Sequence, residues 1–350
     1  MNILIVRNDK LGDFITALPT CKVLKSYNQN NKIIVLVAPL NKELAKSCPF
    51  IDEVIVDENN SAFELAKKIK KHKIDISITL FSNTKVALAQ FLAGIKTRVA
   101  PATKIAQIFY NKRVKQRRSQ VKMAEFEYNL ELLKSAFSDI DTTYPKPLCV
   151  FDDAKEVYKK FCEKFGITKK VIAFHVGYGG SSDANYSLDE YTEMIEAVLE
   201  KKDKDVVLTF GPDEKELFLT MRQKLLKVTN KLSCEVKSSI KVDDFGGVKP
   251  IMASEDCAKV VFYISDSGLV NFAKIISGFS LFVSTSTGTY HLASMVGTPT
   301  LTFFADTLFA SAARWKSIGD EKKQIHYMLP QDLDKRKEIL EEVKKRLASF

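Results

Sequence analysis

With 350 residues the chain suits two domains of ordinary size, and its 45% hydrophobic and 27% charged residues suit soluble domains with well-filled cores. No run of about 18 apolar residues occurs, which argues against a transmembrane helix. The chain also starts in a strand without a basic and an apolar region, which argues against a secretory signal. We therefore expect a cytoplasmic protein, and its net charge of +10 favours anionic partners.

The cysteines and histidines predict neither a metal site nor a disulfide framework. The six cysteines, at positions 21, 48, 149, 162, 234 and 257, are scattered without a C-x-x-C spacing. The four histidines are scattered as well. We therefore predict no zinc site and no His-based metal cluster.

Apolar strands and amphipathic helices alternate through the first part of the chain. Strands are predicted at 2–6, 32–38, 52–57, 75–80 and 97–100, and helices at 13–26, 40–47, 61–72 and 83–94. Ser61 and Glu64 have the spacing of a capping box at the start of the third helix. This alternation predicts a parallel sheet with helices on both faces.

A basic segment follows at 104–122, with seven Lys and Arg and no acidic residue. It is either a solvated surface or a patch that binds phosphates, anionic lipid headgroups or nucleic acid. A long helix is predicted at about 122–137. The stretch 139–153 has two prolines and little periodicity, and it is the predicted domain boundary.

The second part of the chain repeats the α/β plan. Strands are predicted at 170–177, 205–211, 259–265, 280–285 and 298–304, the last being the final strand, and helices at 187–201, 212–227, 268–277, after residue 287 and at 334–348. Ser187 and Glu190 form a second capping box, and Pro212 is suited to start a helix. Residues 230–257 receive no assignment. Two doubly wound domains, 1–150 and 151–330, and a C-terminal amphipathic helix at 331–350 are predicted.

Two turns between a strand and a helix have residues that suit chemistry. In "RNDKLGDF" the first strand ends and Asp13 stands at the start of a helix. It is either a structural residue, as a helix N-cap or a first-turn charge, or a catalytic carboxylate. In "VSTSTGTYHL", hydroxyl groups, backbone N–H groups and a helix N-terminus converge at 284–288. Such a turn suits a diphosphate, although a well-capped turn with a space-filling histidine explains the same residues.

Both turns match one family. The opening "ILIVRNDKLGDFITALP", the later "VSTSTGTYHLASMVGTPTLTFF" and the segment "LTFGPDEKEL" resemble the ADP-heptose:lipopolysaccharide heptosyltransferases, glycosyltransferase family 9, over nearly the full length. The resemblance implies the GT-B fold, with two Rossmann-like domains facing across a cleft. The N-terminal domain would bind the acceptor and the C-terminal domain the nucleotide-sugar. The implied reaction is inverting, metal-independent sugar transfer, with no cofactor and with the nucleotide-sugar, ADP-heptose in the family, as a substrate.

The resemblance also implies roles for individual residues. Asp13 corresponds to the general base that takes the acceptor hydroxyl's proton. Thr287 and Gly288 would meet the diphosphate, His291 would support it, Glu214 would bind the ribose and Ser267 would contact the base. The full set of implied donor-binding residues is Gly12, Glu214, Ser267, Ser286, Thr287, Gly288 and His291. Asp-x-Asp triplets at 139, 203 and 332 are interpreted as solvated.

Two positions depart from the family pattern. Ser286 stands where the family has an Asp before Thr-Gly, and Ala184 or Asn185 stands where the family has a Lys before Trp-Pro. In the family these two residues contact the donor sugar and phosphates. The departures indicate an altered sugar donor, a weaker enzyme or a non-catalytic relative.

The acceptor side is implied by the resemblance and by the basic segment. The family's acceptors are phosphorylated lipid A–core glycolipids at the inner membrane. Arg113, Lys115, Arg117 and Arg118 are therefore predicted to contact acceptor phosphate or anionic lipid. We expect a peripheral protein on the cytoplasmic face of the inner membrane. Nothing recognisable in the sequence supports nucleic-acid binding.

Overall fold

The protein is described by a computed structural model that covers residues 1–177, 185–240 and 257–350. The chain divides into two compact units. Unit 1 comprises Met1–Cys149 together with Ala313–Ile318, and unit 2 comprises Val150–Ala312 together with Gly319–Phe350. The short return of the chain to unit 1 is not foreseen by the linear domain boundaries.

Unit 1 contains a six-stranded parallel sheet in the order β3-β2-β1-β4-β5-β6. Its strands are β1 (Asn2–Arg7), β2 (Lys32–Val37), β3 (Glu53–Val56), β4 (Ile76–Thr79), β5 (Thr97–Pro101) and β6 (Lys112–Val114). Its helices are α1 (Leu11–Tyr27), α2 (Lys42–Ser47), α3 (Ala62–Lys70), α4 (Thr84–Leu92) and α5 (Glu125–Ala136), with 3-10 turns at Pro39–Asn41, Ile105–Phe109 and Arg118–Gln120.

Unit 2 contains a seven-stranded parallel sheet in the order β13-β12-β11-β7-β8-β10-β9. Its strands are β7 (Lys170–His175), β8 (Lys204–Phe210), β9 (Glu235–Ser238), β10 (Lys259–Ile264), β11 (Leu281–Thr285), β12 (Thr300–Ala305) and β13 (Gln324–Leu329). The helices from residue 150 onward are α6 (Ala154–Phe165), α7 (Leu188–Leu199), α8 (Lys215–Lys231), α9 (Gly268–Ile276), α10 (Gly288–Met295), α11 (Ala312–Trp315) and α12 (Leu333–Ser349), with 3-10 turns at Leu308–Ala310 and Glu321–Lys323.

The cores follow from the predicted periodicities. In unit 1 the inner strands are continuous apolar runs, as expected for a sheet covered on both faces, and Leu4, Val6, Ile34 and Leu36 have no exposed surface. In unit 2 the corresponding core extends from β7 to the face of α12 that carries Leu340, Val343 and Leu347.

Both predicted capping boxes are present. The Ser61 amide donates to Glu64 Oε2 over 2.8 Å, and the Glu64 amide donates to Ser61 Oγ over 3.2 Å. The same reciprocal pair joins Ser187 and Glu190 at 2.6 and 3.2 Å. Each pair satisfies two of the backbone donors that a helix start leaves open.

Several predicted elements need correction. The sheet of unit 2 does not end at 298–304, because β13 adds a further strand beside β12. β6 and α6 have no predicted counterpart, and α8 begins at Lys215 instead of Pro212 because residues 211–214 form a turn closed by the Glu214 amide and the Gly211 carbonyl. β9 occupies part of the unassigned stretch 230–257, of which residues 241–256 lie outside the described residues.

Candidate active site

Asp13 lies at the switch point of the sheet in unit 1. β1 pairs with β2 on one side and with β4 on the other, so the chain order reverses beside β1. In open α/β sheets, ligands bind outside the carboxyl ends of the strands at this reversal. The turn after β1 leads directly to Gly12 and Asp13 at the start of α1.

Asp13 is not the N-cap of α1. The helix begins at Leu11, the N-cap is Lys10, and Asp13 lies inside the first turn. Its carboxylate Oδ1 accepts a hydrogen bond from Arg7 Nη2, and its side chain keeps 18% of its surface exposed. Asp13 thus lies in the first helical turn, where an acidic residue is favourable, but it does not cap the helix. Its carboxylate contacts Arg7 instead.

Arg7 contacts three carboxylates at once. This last residue of β1 is 4% exposed, and its Nε donates to Asp9 Oδ1 over 2.9 Å. Its Nη2 contacts Asp13, and its Nη1 donates to Glu125 Oε1 over 3.2 Å. A guanidinium presents donors in a rigid planar fork, so its contacts with Asp9 and Glu125 fix the plane in which it meets Asp13.

Glu125 anchors this arrangement from the first residue of α5. Its carboxylate, 4% exposed, pairs with Arg7 and Arg118 through Oε1, while Arg314 Nη2 lies 3.5 Å from Oε2. Arg314 belongs to the segment that returns to unit 1. Three arginines and three carboxylates therefore form one cluster, which we call the Arg7 cluster: Arg7, Asp9, Asp13, Arg118, Glu125 and Arg314.

The pKa values of the cluster reflect burial and charge together. Burial opposes the charge on Arg7, but Asp9, Asp13 and Glu125 outweigh it and raise the pKa of Arg7. Burial is also the largest effect on Asp9; together with the Asp13 charge, and against Arg7, it raises the pKa of Asp9 to about 6. For Glu125, burial is opposed by the three arginines, which lower its pKa. The cluster thus combines Glu125, whose pKa is lowered by the arginines, with Asp9, whose pKa of about 6 lies above its ordinary value.

The second candidate turn lies at the switch point of unit 2. β7 pairs with β11 on one side and β8 on the other, and Ser284, His175 and Thr209 lie side by side in register. Ser286 follows β11, its amide donating to the Phe303 carbonyl over 3.0 Å. Thr287 is the N-cap of α10 and Gly288 its first residue.

The groups at the start of α10 suit an anion. Thr287 Oγ1 lies 2.9 Å from Thr289 Oγ1, and it does not cap a backbone amide of its own helix. The first N–H groups of a helix and its dipole attract negative charge. His291 is 3% exposed, and burial lowers its pKa to about 3. Its imidazole is therefore neutral near neutral pH.

Glu214 lies close to the residues that follow β7 and β8. It is the N-cap of α8, and its Oε2 accepts a hydrogen bond of 2.7 Å from the Gly211 amide. A Cβ on Gly177, just after β7, would lie 2.1 Å from Glu214 Oε1. Only glycine leaves room for the carboxylate here. Ser267, the N-cap of α9 after β10, is exposed, and its Oγ donates to Asp266 Oδ1 over 3.0 Å.

The departure at 184–185 is described only in part, because Ala184 lies outside the described residues. Asn185 and Tyr186 are described, and Arg336 of α12 reaches both. Arg336 Nη2 donates to the Asn185 carbonyl, and its guanidinium lies 4.7 Å from the centre of the Tyr186 ring. The cation Arg336 thus contacts Asn185 and Tyr186, although the sequence has no lysine at 184–185.

The four predicted acceptor contacts fall into two environments. Arg113, Lys115 and Arg117 are exposed. Arg118 is 17% exposed, pairs with Glu125 and donates to Gln116 Oε1 over 3.0 Å. Arg118 therefore belongs to the Arg7 cluster.

Sequence reasoning did not identify four members of the cluster: Arg7, Asp9, Glu125 and Arg314. Arg7 gave a weak signal, as a charged residue that ends an apolar strand beside the Gly-Asp turn. Glu125 and Arg314 gave none, because their proximity depends on a tertiary contact across 189 positions. Among the described residues, no three His, Cys, Asp or Glu side chains are arranged to hold a metal ion. Within this described part of the chain, no helix is long and apolar enough to cross a membrane.

Comparison with known proteins identifies one family, by a family model and by a curated relative. The model of Glycosyltransferase family 9 (heptosyltransferase) matches residues 62–236. A curated Haemophilus influenzae protein, named as a glycosyltransferase on provisional grounds, is 36% identical over 339 residues, covering 94% of this chain and 89% of its own.

Solved structures match across both units. A family 9 glycosyl transferase from Veillonella parvula has a TM-score of 0.72 at 16% identity, covering 98% of this chain and 89% of its own. ADP-heptose lps heptosyltransferase II from E. coli has a TM-score of 0.71 at 16% identity, covering 100% of this chain and 99% of its own. These matches confirm the predicted α/β, GT-B fold class.

Proposed function

Because the chain belongs to glycosyltransferase family 9, we propose that this glycosyltransferase moves a heptose from ADP-heptose to a phosphorylated lipid A–core acceptor, with inversion and without a metal. The alternatives are a different nucleotide-sugar or acceptor, and a catalytically weak relative that still binds nucleotide. The protein would work on the cytoplasmic face of the inner membrane, where such an acceptor is embedded.

On the acceptor side, Asp13 is the proposed general base. A sugar hydroxyl is a poor nucleophile until a base takes its proton, and a positioned carboxylate contributes about 10²–10⁴-fold. Arg7 contacts Asp13 Oδ1, which leaves Oδ2 as the oxygen that would accept the proton. The position of Asp13 at the switch point of the sheet supports this role.

On the donor side, the order of the strands carries the proposal. Thr287 and Gly288 follow β11, Glu214 follows β8 and Ser267 follows β10, and the sheet runs β11-β7-β8-β10. Neighbouring strands lie about 4.8 Å apart, so this edge extends about 14 Å from β11 to β10. A nucleoside diphosphate is ordered phosphate, ribose, base, which is the order of the proposed contacts along that edge.

The diphosphate would be stabilised without a metal. The N-terminus of α10 supplies backbone N–H groups and the positive end of a helix dipole. These groups would meet the charge that develops on the departing nucleotide. His291 would donate a hydrogen bond as a neutral imidazole. Ser286, where the family has an Asp, would contribute a hydroxyl and no charge to sugar recognition.

A panel of nucleotide-sugars tests the proposal. Purified protein is incubated with a lipid A–core acceptor and ADP-heptose, or with other ADP-, UDP- and GDP-linked sugars, and products are detected by mass spectrometry. The proposal expects turnover with ADP-heptose that is lost in Asp13→Asn while ADP binding stays unchanged. Turnover only with another nucleotide-sugar supports the first alternative, and nucleotide binding without any turnover supports the catalytically weak relative.

A further inference from the structure

The excess of positive over negative charge in the chain is matched by one stretch of unit 1. Residues 76–124 contain ten Lys and Arg and no Asp or Glu. The remaining 43 Lys and Arg equal the 43 Asp and Glu of the whole chain. The net attraction for anions therefore originates in this stretch, which runs from β4 to the start of α5.

The same stretch exposes large apolar side chains. At the end of α4, Phe91 is 52% and Leu92 38% exposed, and in the adjoining 3-10 turn Ile105 is 73% and Ile108 67% exposed. The Phe91 ring lies 5.9 Å from the ring of Phe109, which ends that turn. The two segments therefore form one surface, and we call Phe91, Leu92, Ile105 and Ile108 the apolar patch.

Backbone geometry maintains this exposure. Lys104, just before the 3-10 turn, has a φ of 56°, a conformation that non-glycine residues rarely adopt. The Arg98 Nε donates to the Phe109 carbonyl over 2.7 Å and so ties the end of the turn to β5. Two isoleucines are thus held outward in a short, fixed turn.

Two basic residues adjoin the patch, and two more lie on the edge strand that follows it; we call these four residues the basic border. The Arg98 guanidinium lies 5.4 Å from the centre of the Phe91 ring. Lys104 is exposed next to Ile105, and Lys112 and Arg113 are exposed on β6, the edge strand that follows the turn. A surface with an apolar centre and a cationic border matches the interface of an anionic lipid bilayer, which offers acyl chains beneath phosphate groups.

We propose that the apolar patch and its basic border dock unit 1 on an anionic lipid bilayer. The isoleucines and Phe91 would enter the headgroup boundary, and the border would contact lipid phosphates. The inference rests on the proposed function in that a lipid-embedded acceptor gives such docking its purpose. Nucleic acid fits less well, because exposed isoleucines add nothing to phosphate binding.

The first test measures co-sedimentation of the full chain with two kinds of vesicle. One contains phosphatidylcholine alone, and the other contains phosphatidylcholine mixed with phosphatidylglycerol. The wild type is expected to bind only the anionic vesicles. Ile105→Ser with Ile108→Ser should lower the partition coefficient at least about tenfold, because two large side chains no longer leave water.

A matched variant controls for exposed apolar surface in general. Leu40→Ser with Phe63→Ser changes two side chains of unit 1 that are 64% and 66% exposed but lie outside residues 76–124. This variant should bind anionic vesicles like the wild type. An unchanged partition coefficient for the isoleucine variant would overturn the proposal, and so would equal losses in both variants.

The second test separates the basic border from net charge. Lys112→Glu with Arg113→Glu should reduce binding about 25-fold or more, since each cation near an anionic surface is worth about fivefold. Lys70→Glu with Lys71→Glu makes the same charge change at two exposed positions that precede β4 and lie outside residues 76–124. This control should reduce binding much less. Equal losses would show that only net charge matters.

Two further readouts identify other occupants and separate the two proposals. Self-association that depends on Ile105 and Ile108, or tight binding of a nucleic acid oligomer without vesicle binding, would replace the lipid proposal. Vesicle binding is measured without donor, so its failure leaves the transferase proposal standing. Asp13→Asn should bind vesicles normally while losing turnover.

Discussion

Arg7 and Glu125 are 118 positions apart in the chain and meet through an Nη1–Oε1 contact of 3.2 Å, each with 4% of its side chain exposed. This contact joins the strand that leads to Asp13 with the helix that follows the basic segment. The orientation of the proposed base therefore depends on a carboxylate that does not contact it.

Glu125→Gln should destabilise unit 1. The change removes the charge that faces three arginines, and breaking a buried ion pair on one side costs about 3–5 kcal/mol. Glu127→Gln, on the same helix, changes a residue whose side chain is 37% exposed and lies 3.5 Å from Lys316. Urea unfolding should show a loss of about 3 kcal/mol for the first variant and below about 1 kcal/mol for the second. Similar small losses in both would contradict a structural role for the anchor.

Arg7→Lys should lower kcat more than it changes KM. A lysine keeps the charge, but its single ammonium cannot hold the planar contacts to Asp9, Asp13 and Glu125 together. A displacement of about 1 Å at a catalytic group can cost about 10²-fold in rate. Steady-state kinetics should show this loss in kcat with KM for donor and acceptor within about threefold. Arg222→Lys on α8 is the control, and an unchanged kcat in Arg7→Lys would exclude the positioning role.

Asp9 should make the fold less stable as pH rises from about 4 to about 6. Its pKa is raised from an ordinary 3.8 to about 6, so the folded state holds the proton more tightly than the unfolded state. The stability it adds is full below the ordinary pKa and is lost as pH passes the folded value. The difference corresponds to at most about 3 kcal/mol. Thermal unfolding of Asp9→Asn should lack this loss, and parallel pH profiles of the two proteins would refute it.

Gly177→Ala should weaken nucleotide binding. The added methyl would lie 2.1 Å from Glu214 Oε1, so the carboxylate must move. Gly211→Ala is the matched control, because its Cβ would lie at an ordinary 3.5 Å from Glu214 Oε2. Calorimetry should show ADP affinity reduced about tenfold in the first variant, the size expected for a displaced charged hydrogen-bond partner, and little changed in the second. Equal affinities would argue against Glu214 as a ribose ligand.

His291 should not confer pH dependence on nucleotide binding. Burial lowers its pKa to about 3, so the folded protein holds the neutral form throughout the range between about pH 5 and pH 8. ADP affinity of the wild type and of His291→Gln should therefore change in parallel with pH. A wild-type affinity that rises on acidification more than that of the variant would indicate a protonated imidazole at the diphosphate.

The sequence allowed most of the fold to be predicted because its signals are local. Apolar runs such as 2–6 and 32–38 form inner strands, and the two Ser-x-x-Glu boxes start helices as expected. β6 has only three residues, two of them charged and exposed, so it lacks an apolar signal. α6 was missed although its sequence did carry a helical signal. Phe161 and Phe165, four positions apart, are buried, and Gly166 follows at the C-cap.

The sequence pointed to candidate site residues mainly where a motif is contiguous. Gly12 and Asp13, and residues 286–291, stand next to one another in sequence. The Arg7 cluster does not, because α5 and residues 313–318 bring its other members to β1 through tertiary packing. Arg118 lies in a basic stretch of the sequence, and nothing local indicates that its guanidinium is partly buried and paired with Glu125.

The return of residues 313–318 to unit 1 has consequences for fragments of the protein and for its folding during synthesis. A fragment that stops at residue 149 would lack Arg314, so Glu125 would face two arginines instead of three. During synthesis the ribosome must pass residue 318 before unit 1 has all of its chain, although domains generally fold as units as they emerge. Unit 1 is therefore completed only after most of unit 2 has been translated, and folding of the two units is coupled by chain order.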